Sequence, residues 1–197
     1  MVSVPGQGLC RICRERPADS FEHVPPRRAF NDEPTRAYGL AEWLAREEGG
    51  LARGRIEQRG AGGVTLCVSC NNRTGSWYGR ELVLAARAGA RILMELPLEQ
   101  LDASLDHRWA TVTFRQQPGV GPHPLRFVKQ MVTMLLAISP LSVSEEHPEL
   151  GEFVIDRERS RLSERYQLYL ALYAGPLART VGGAIRVDIE TRRRDYL

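Results

Sequence analysis

The sequence contains almost no lysine and no long apolar run. Lys129 is the single lysine among 27 basic residues, so the other 26 are arginines. No stretch approaches the roughly 20 apolar residues that span a membrane, and the first residues lack the basic and apolar segments of a secretory signal. We therefore expect a soluble, cytoplasmic protein without a membrane partner. The arginine excess fits phosphate binding, but a GC-rich genome produces the same excess.

Cysteine is also scarce, and all four cysteines belong to two C-x-x-C pairs. The first pair is Cys10 and Cys13, and the second is Cys67 and Cys70. Two such pairs in a chain with no other cysteine are typical of a four-thiolate zinc site. Paired disulfides are the alternative, but a reducing cytosol disfavours them. The sequence therefore predicts a structural Zn²⁺ that clamps two distant segments into one small unit.

The segment between the two pairs predicts short strands and one helix. Residues 21–24 read as a strand that ends at Pro25, since proline cannot continue a ladder. Residues 35–48 carry apolar side chains at helical spacing and predict an amphipathic helix. A second strand is predicted over residues 64–66.

A long helix is predicted after the second pair. It opens at Cys70, is interrupted near its start by Gly75 and Gly79, and is strongly helix-forming over residues 81–96. A cysteine knuckle, a β-hairpin and a second knuckle at a helix N-terminus make up the treble-clef arrangement. The predicted fold class is α+β, with this zinc-stabilised unit at its N-terminal end.

The second half of the chain reads as a conventional α+β domain of unknown role. We assign residues 1–96 to the zinc-binding domain and residues 97–197 to this second domain. Its predicted elements are a strand at 109–114, helices at 124–138 and 149–155, and two antiparallel strands at 166–173 and 184–190.

One motif lies between the cysteine pairs, and it carries an acid and a histidine. It reads Glu22-His23-Val24-Pro25-Pro26, and the second pair is followed at once by Asn71. In this order, the motif and the two pairs resemble the HNH nuclease family, also called ββα-metal or His-Me finger. Phage recombination endonucleases that resolve branched DNA share the layout. The resemblance covers about residues 8–80.

The resemblance implies a role for each residue of the motif. His23 corresponds to the general base that takes a proton from the water attacking a phosphodiester. Glu22 and Asn71 correspond to ligands of a catalytic divalent metal, Mg²⁺ or Mn²⁺, which would stabilise the leaving oxygen. The implied partner is nucleic acid, with DNA as the expected substrate. A homo-oligomer is left open.

Basic and aromatic side chains flank the motif and the second pair. We interpret Arg27, Arg28 and Arg73 as nucleic-acid-binding residues, with plain surface charge as the alternative. Trp77 and Tyr78 either stack on a base or pack around the zinc.

Two positions depart from the family pattern. Glu22 stands where the family commonly has aspartate, which keeps the charge and lengthens the side chain by one methylene. Gly62 stands where an asparagine usually lies five residues before the second knuckle. That asparagine normally ties the loop and helps to orient the histidine. The competing hypothesis is therefore a zinc treble-clef module that binds nucleic acid or protein without cutting it.

Overall fold

The computed structural model describes residues 8–37, 54–95 and 121–167, together with two short strands near the C-terminus. The described elements mix helices with small antiparallel sheets, which confirms the α+β class. None of the described helices has both the length and the apolar composition needed to span a bilayer. The elements are β1 (Ser20–His23), β2 (Thr35–Ala37), β3 (Arg55–Glu57), β4 (Gly62–Leu66), α1 (Val68–Glu95), α2 (Pro124–Ile138), α3 (Leu141–Glu146), α4 (Pro148–Ile155), β5 (Ile185–Val187) and β6 (Arg194–Tyr196).

Strands β1 and β4 form the antiparallel pair that carries the motif. Glu22 lies opposite Gly63 and His23 lies opposite Gly62, with a bulge between Ser20 and Phe21. The predicted strands at 21–24 and 64–66 both fall in this pair, so that part of the interpretation is confirmed within one or two residues. The pair brings the motif next to the chain segment that enters the second cysteine pair.

Helix α1 starts directly after Cys67 and runs without a break for 28 residues. The Asp19 side chain accepts a hydrogen bond of 2.9 Å from the Val68 N–H, so a residue before β1 caps the first turn. The predicted interruption at Gly75 and Gly79 is wrong, because both lie inside the helix. Burial of the neighbouring Tyr78 offsets the low helix propensity of glycine there.

The predicted helix at residues 35–48 is wrong at its start. Residues 35–37 form β2, which pairs antiparallel with β3 in the register Thr35 to Glu57 and Ala37 to Arg55. The partner strand lies about 20 residues away in the sequence, and pairing with it overrides the local helical pattern. Periodicity alone does not detect this pairing. The remaining residues of that predicted helix, 38–48, lie outside the described residues.

One hydrophobic core contains side chains from both halves of the chain. Its buried members come from the knuckle, β4, α1, α2 and α4, and they include Ile12, Leu66, Tyr78, Val132, Leu136 and Phe153. Two long-range hydrogen bonds tie the same elements together: Arg11 Nη1 donates to Ala137 O at 2.6 Å, and Tyr78 Oη donates to Val154 O at 3.0 Å. The boundary predicted between residues 96 and 97 stays a prediction, since residues 96–120 lie outside the described part of the chain.

The single lysine belongs to this core and not to the surface. Lys129 is fully buried, and its Nζ donates to the carbonyls of Asp156 and Arg157 just past the end of α4. The ammonium group also lies 4.9 Å from the centre of the Phe153 ring. Burial lowers the pKa of Lys129. Lys129 therefore stabilises the C-terminal end of α4.

The C-terminal helices agree with the sequence, while the strands differ. Helix α2 has the predicted bounds, and α4 begins one residue earlier than predicted. Strand β5 lies within the predicted strand at 184–190, but its described partner is β6 at residues 194–196. The strand predicted at 109–114 and most of the one predicted at 166–173 lie outside the described residues.

Candidate metal centre and candidate active-site cleft

The first knuckle forms a tight turn that directs two cysteines toward the start of α1. The Arg14 N–H donates to Cys10 O at 2.8 Å, and Arg14 adopts a left-handed backbone conformation with φ 59°. In the second knuckle, the Cys70 N–H donates to Cys67 Sγ at 3.4 Å. Backbone N–H groups aimed at sulfur stabilise the thiolate form, which is the form that ligates a metal.

The two knuckles bring four sulfurs together. The Sγ atoms of Cys10, Cys13, Cys67 and Cys70 all lie within 4.8 Å of one another. All four cysteines are free, and the Sγ atoms of Cys13 and Cys67 are 4.0 Å apart, well beyond a disulfide bond. Sulfurs around a tetrahedral ion with bonds of about 2.3 Å lie about 3.8 Å apart. The four cysteines are therefore positioned to hold a metal ion.

The sulfurs influence the ionisation of one another. A hydrogen bond with the Cys70 thiol lowers the pKa of Cys10 to about 4. The same contact raises the pKa of Cys70, and burial raises the pKa of Cys67. Close packing thus favours ionisation of Cys10 over ionisation of Cys67 and Cys70. A divalent cation among the four sulfurs would stabilise the thiolate form of all of them.

A cleft of about 480 Å³ lies between the motif and helix α1. All three residues that were predicted to act together line it: Glu22, His23 and Asn71. The end of β1 supplies the first two and the first turn of α1 supplies the third, although Glu22 and Asn71 are 49 positions apart in the sequence. The antiparallel pairing of β1 with β4 achieves this, because β4 leads directly into the second knuckle and α1.

Glu22 places a carboxylate at the wall of the cleft with little access to water. The residue is 8% exposed, and its carboxylate has no hydrogen bond or ion pair with any described residue. Burial raises the pKa of Glu22 to about 7. A buried carboxylate of this kind is stabilised in its charged form by a nearby cation. Its environment therefore fits the metal-ligand role implied by the family resemblance.

Asn71 presents its side-chain oxygen away from β1. Its Nδ2 donates to Ser20 Oγ at 2.8 Å and to Phe21 O at 3.0 Å. Because a backbone carbonyl only accepts, the nitrogen must face β1, and this fixes the orientation of the amide. Oδ1 accepts no hydrogen bond from the described residues. The amide therefore has an oxygen available as a ligand of a hard cation.

His23 lines the same cleft and is half-buried. Its ring packs edge-on against Phe21, with ring centroids 4.9 Å apart. Burial lowers the pKa of His23, a hydrogen bond with the Arg59 backbone opposes this shift, and the charges of Arg27 and Arg59 reinforce it. The ring is therefore held in place on two sides and favours its neutral form, which is the form that accepts a proton.

No protein-family model, curated protein or solved structure matches this chain. The interpretation of the cleft therefore depends on the residues and their geometry.

The predicted nucleic-acid-binding arginines separate into two groups. Arg27 and Arg28 line the cleft beside the motif. Arg73 is exposed and lies over the Trp77 ring, 5.6 Å from its centre, and does not belong to the cleft wall. Tyr78 is buried in the core, and Trp77 packs against it. Packing around the knuckles is therefore the role that the structure gives to this aromatic pair.

Asn31 has a structural role that the sequence analysis missed. It is 5% exposed, and its Nδ2 donates to Pro25 O at 2.6 Å and to Ala61 O at 2.7 Å. Its Oδ1 accepts from the Ala61 N–H at 2.7 Å. These bonds tie the loop after the motif to the loop before β4. An asparagine therefore ties the loop here, but it comes from the segment after the prolines.

The backbone explains why position 62 is a glycine and cannot be the asparagine of the family pattern. A Cβ at Gly62 would lie 2.1 Å from Glu22 O, so no side chain fits opposite the motif. A Cβ at Gly60 would lie 2.5 Å from Asn31 Oδ1, so this position must also be small. Asn31 reaches the loop from the opposite side and leaves the strand pair in close contact. The spacing of Asn31 from the motif gave no signal, because the contact depends on how the loop folds.

Asn31→Ala is expected to lower the stability of the protein. The change removes three hydrogen bonds and leaves the Ala61 N–H and two carbonyls without that partner. At about 1 kcal/mol or more for each lost bond, the free energy of unfolding should fall by about 3 kcal/mol. Thermal unfolding followed by circular dichroism should show a decrease in Tm of about 6–12 °C.

Asn72→Ala is the matched control for this experiment. Asn72 is exposed, lies next to Asn71 at the start of the second turn of α1, and has no hydrogen bond to its side chain among the described residues. Its substitution should leave Tm almost unchanged. Equal Tm values for the two variants would contradict the role given to Asn31.

Proposed function

We propose that this protein is a metal-dependent endonuclease of the HNH type that hydrolyses phosphodiester bonds, with DNA as its substrate. The observation that supports the proposal most is that Glu22, His23 and Asn71 line one cleft. An acid, an imidazole and an amide oxygen are the groups that a single-metal phosphodiesterase of this kind requires. The cleft lies beside a four-cysteine cluster, as the family resemblance implies.

We propose zinc as the ion of the four-cysteine cluster and a treble clef as the unit around it. Four sulfurs in a compact, largely buried cluster are typical of structural zinc. The order of knuckle, antiparallel strand pair and helix with the second knuckle at its start agrees with a treble clef. Four reduced thiols suit a reducing compartment, so we place the protein in the cytoplasm.

His23 acts as the general base in this proposal. The imidazole accepts the proton of the attacking water, and contacts with Phe21 and the Arg59 backbone fix the ring while it does so. Such positioning matters because a general base works only within hydrogen-bond reach of the proton that it removes.

Glu22 and Asn71 would hold the catalytic divalent cation, Mg²⁺ or Mn²⁺. The fit is supported by the Glu22 carboxylate and the Asn71 side-chain oxygen, neither of which is bonded to another described residue. When bound, the cation supplies positive charge for the leaving oxygen and the transition state. Asn71 is held in place by its two hydrogen bonds to β1, and Glu22 by the strand itself.

The charges around the cleft favour a polyanionic substrate. Arg27, Arg28 and Arg80 line the cleft, whereas Glu22 is its single lining carboxylate among the described residues. Guanidinium groups match phosphate oxygens in shape and charge. A nucleic-acid strand is therefore a suitable occupant, and the arginines position its backbone without reading its sequence.

A plasmid-nicking assay tests the proposed activity. Supercoiled plasmid is incubated with purified protein and Mg²⁺ or Mn²⁺, and conversion to nicked or linear DNA is measured on a gel. We expect conversion with either ion and none in buffer without added divalent metal. No conversion with either ion, from protein that holds one zinc per chain, would favour the non-catalytic zinc module.

A further inference from the structure

Helix α1 presents two glycines to the cleft, one and two turns after Asn71. Gly75 and Gly79 follow Asn71 at intervals of four residues, so all three lie on one helix face, and all three line the cleft. Gly75 is exposed and Gly79 is partly exposed. This glycine face runs for about 12 Å along the helix, the axial rise of three to four nucleotides of one strand.

The protein itself does not require glycine at these two positions. A Cβ at Gly75 or at Gly79 would meet no atom within 4 Å. Neither residue has a positive φ, so alanine would fit the backbone. Glycine inside a helix lowers stability relative to alanine. The two glycines therefore keep a groove open at a cost in stability that no contact within the described chain explains.

An independent observation comes from helix α2, in the other half of the chain. Gln130 lines the same cleft and is 1% exposed. Its Oε1 is buried and has no hydrogen-bond partner in the described part of the chain. A buried amide oxygen without a partner destabilises the folded chain. The Nε2 group of the same amide also has no hydrogen bond among the described residues, and as a donor it can bond to a phosphate oxygen that enters the cleft.

We propose that the glycine face and Gln130 together form a binding track for one phosphodiester strand of a nucleic acid. The glycines let the sugar-phosphate backbone approach the helix closely, and the Gln130 amide bonds to the strand at the wall of the cleft. Arg80 lies next to Gly79 and lines the same cleft, so it adds a cation along the track. This inference rests on the proposed function, since the track leads to the Glu22, His23 and Asn71 site.

The first test adds side chains to the groove. Binding of a fluorescein-labelled 20-nucleotide DNA, single-stranded or duplex, is measured by fluorescence anisotropy without added Mg²⁺ or Mn²⁺. Gly75→Leu and Gly79→Leu should each raise Kd about tenfold or more, because the added side chain occupies the space of the strand. Gly75→Ala and Gly79→Ala should raise Kd less, while Tm rises by about 1–4 °C.

Ala88→Leu is the matched control for added bulk. Ala88 is exposed on the same helix, nine residues after Gly79, which places it about 180° around the helix axis. This variant should bind the labelled DNA with the Kd of the unmodified protein. Equal losses in all three leucine variants would overturn the proposed track.

The second test removes the Gln130 amide. Gln130→Met keeps the length of the side chain and removes the unsatisfied oxygen, so Tm should stay the same or rise. The same variant should raise Kd for the labelled DNA about tenfold, because the Nε2–H donor to a charged phosphate oxygen is lost with the amide. A purely structural role predicts the reverse pattern, a lower Tm with an unchanged Kd.

Cleavage with Mg²⁺ is measured in parallel, so that failure of the track and failure of the nuclease are distinguishable. Suppose that the unmodified protein cuts plasmid, and that the glycine and Gln130 variants bind the labelled DNA with the same Kd as the unmodified protein. The track is then wrong and the nuclease proposal stands. If those variants lose binding but the unmodified protein never cuts, the track stands without the nuclease. Absence of DNA binding by the unmodified protein overturns the track.

Discussion

Cys70→Ser should abolish zinc binding and unfold the N-terminal half of the protein. Cys67→Ser should have the same effect, since each change removes one of the four cysteines positioned to hold the ion. Binding energies of structural zinc reach about 10–16 kcal/mol and act as folding energy. That is as large as the whole stability of a typical domain, about 5–15 kcal/mol. Elemental analysis should fall from about one zinc per chain to less than a tenth, with loss of the cooperative thermal transition.

Unfolding caused by loss of the metal should extend beyond the two knuckles, because the hydrophobic core is shared with other elements. Ile12 lies inside the first knuckle and belongs to the same cluster as Val132 and Phe153. Gly151 of α4 packs so closely on the knuckle that a Cβ there would lie 2.5 Å from Ile12 O. Loss of the metal should therefore also loosen the packing of α2 and α4. Near-ultraviolet circular dichroism should report this, because Tyr78 and Trp77 lie at that contact.

Ser69→Ala is the control for this experiment. Ser69 lies inside the second knuckle between the two ligands, and its side chain has no hydrogen bond among the described residues. Its substitution should leave both the zinc content and Tm unchanged. Less than a tenth of an equivalent of zinc in freshly purified, chelator-free unmodified protein would refute the zinc assignment itself.

Short-range signals in the sequence predicted the four-cysteine cluster and several elements. The spacing of the cysteine pairs predicted the cluster because ligand geometry limits which spacings can bind one ion. Helix α2 was predicted with its bounds because its apolar periodicity is strong and Pro124 marks its start. The residues of the candidate cleft were predicted from a motif, and the structure brings Glu22 and His23 of β1 and Asn71 of α1 together around one cleft.

Contacts between distant segments were not predictable in the same way. Strand β2 looks helical in isolation, and only its pairing with β3 makes it a strand. Asn31 has no fixed spacing from the residues that it bonds, since it contacts Ala61 across 30 positions. Gln130 gave no signal because it lies among the apolar side chains of an amphipathic helix. These features depend on tertiary contacts, which periodicity and motif spacing do not encode.

His23→Ala should reduce cleavage by about 10² or more and leave the fold intact. General-base catalysis contributes about 10²–10⁴ in rate, and the variant loses the imidazole that accepts the proton. His23 is half-buried at the end of β1 and does not belong to the four-cysteine cluster. Zinc content and Tm should therefore match those of the unmodified protein. Rates of plasmid nicking with Mg²⁺, measured under single-turnover conditions, give the comparison.

His123→Ala controls for the loss of a histidine as such. His123 is exposed before α2, and its backbone N–H bonds to Glu81 in either variant. Nicking by this variant should equal that of the unmodified protein. The same assay separates the two hypotheses, because a zinc module that only binds nucleic acid does not nick plasmid and does not require the His23 imidazole as a base. If His23→Ala folds, keeps its zinc and nicks plasmid at the unmodified rate, His23 is not the base, and the cleft does not act as an HNH site.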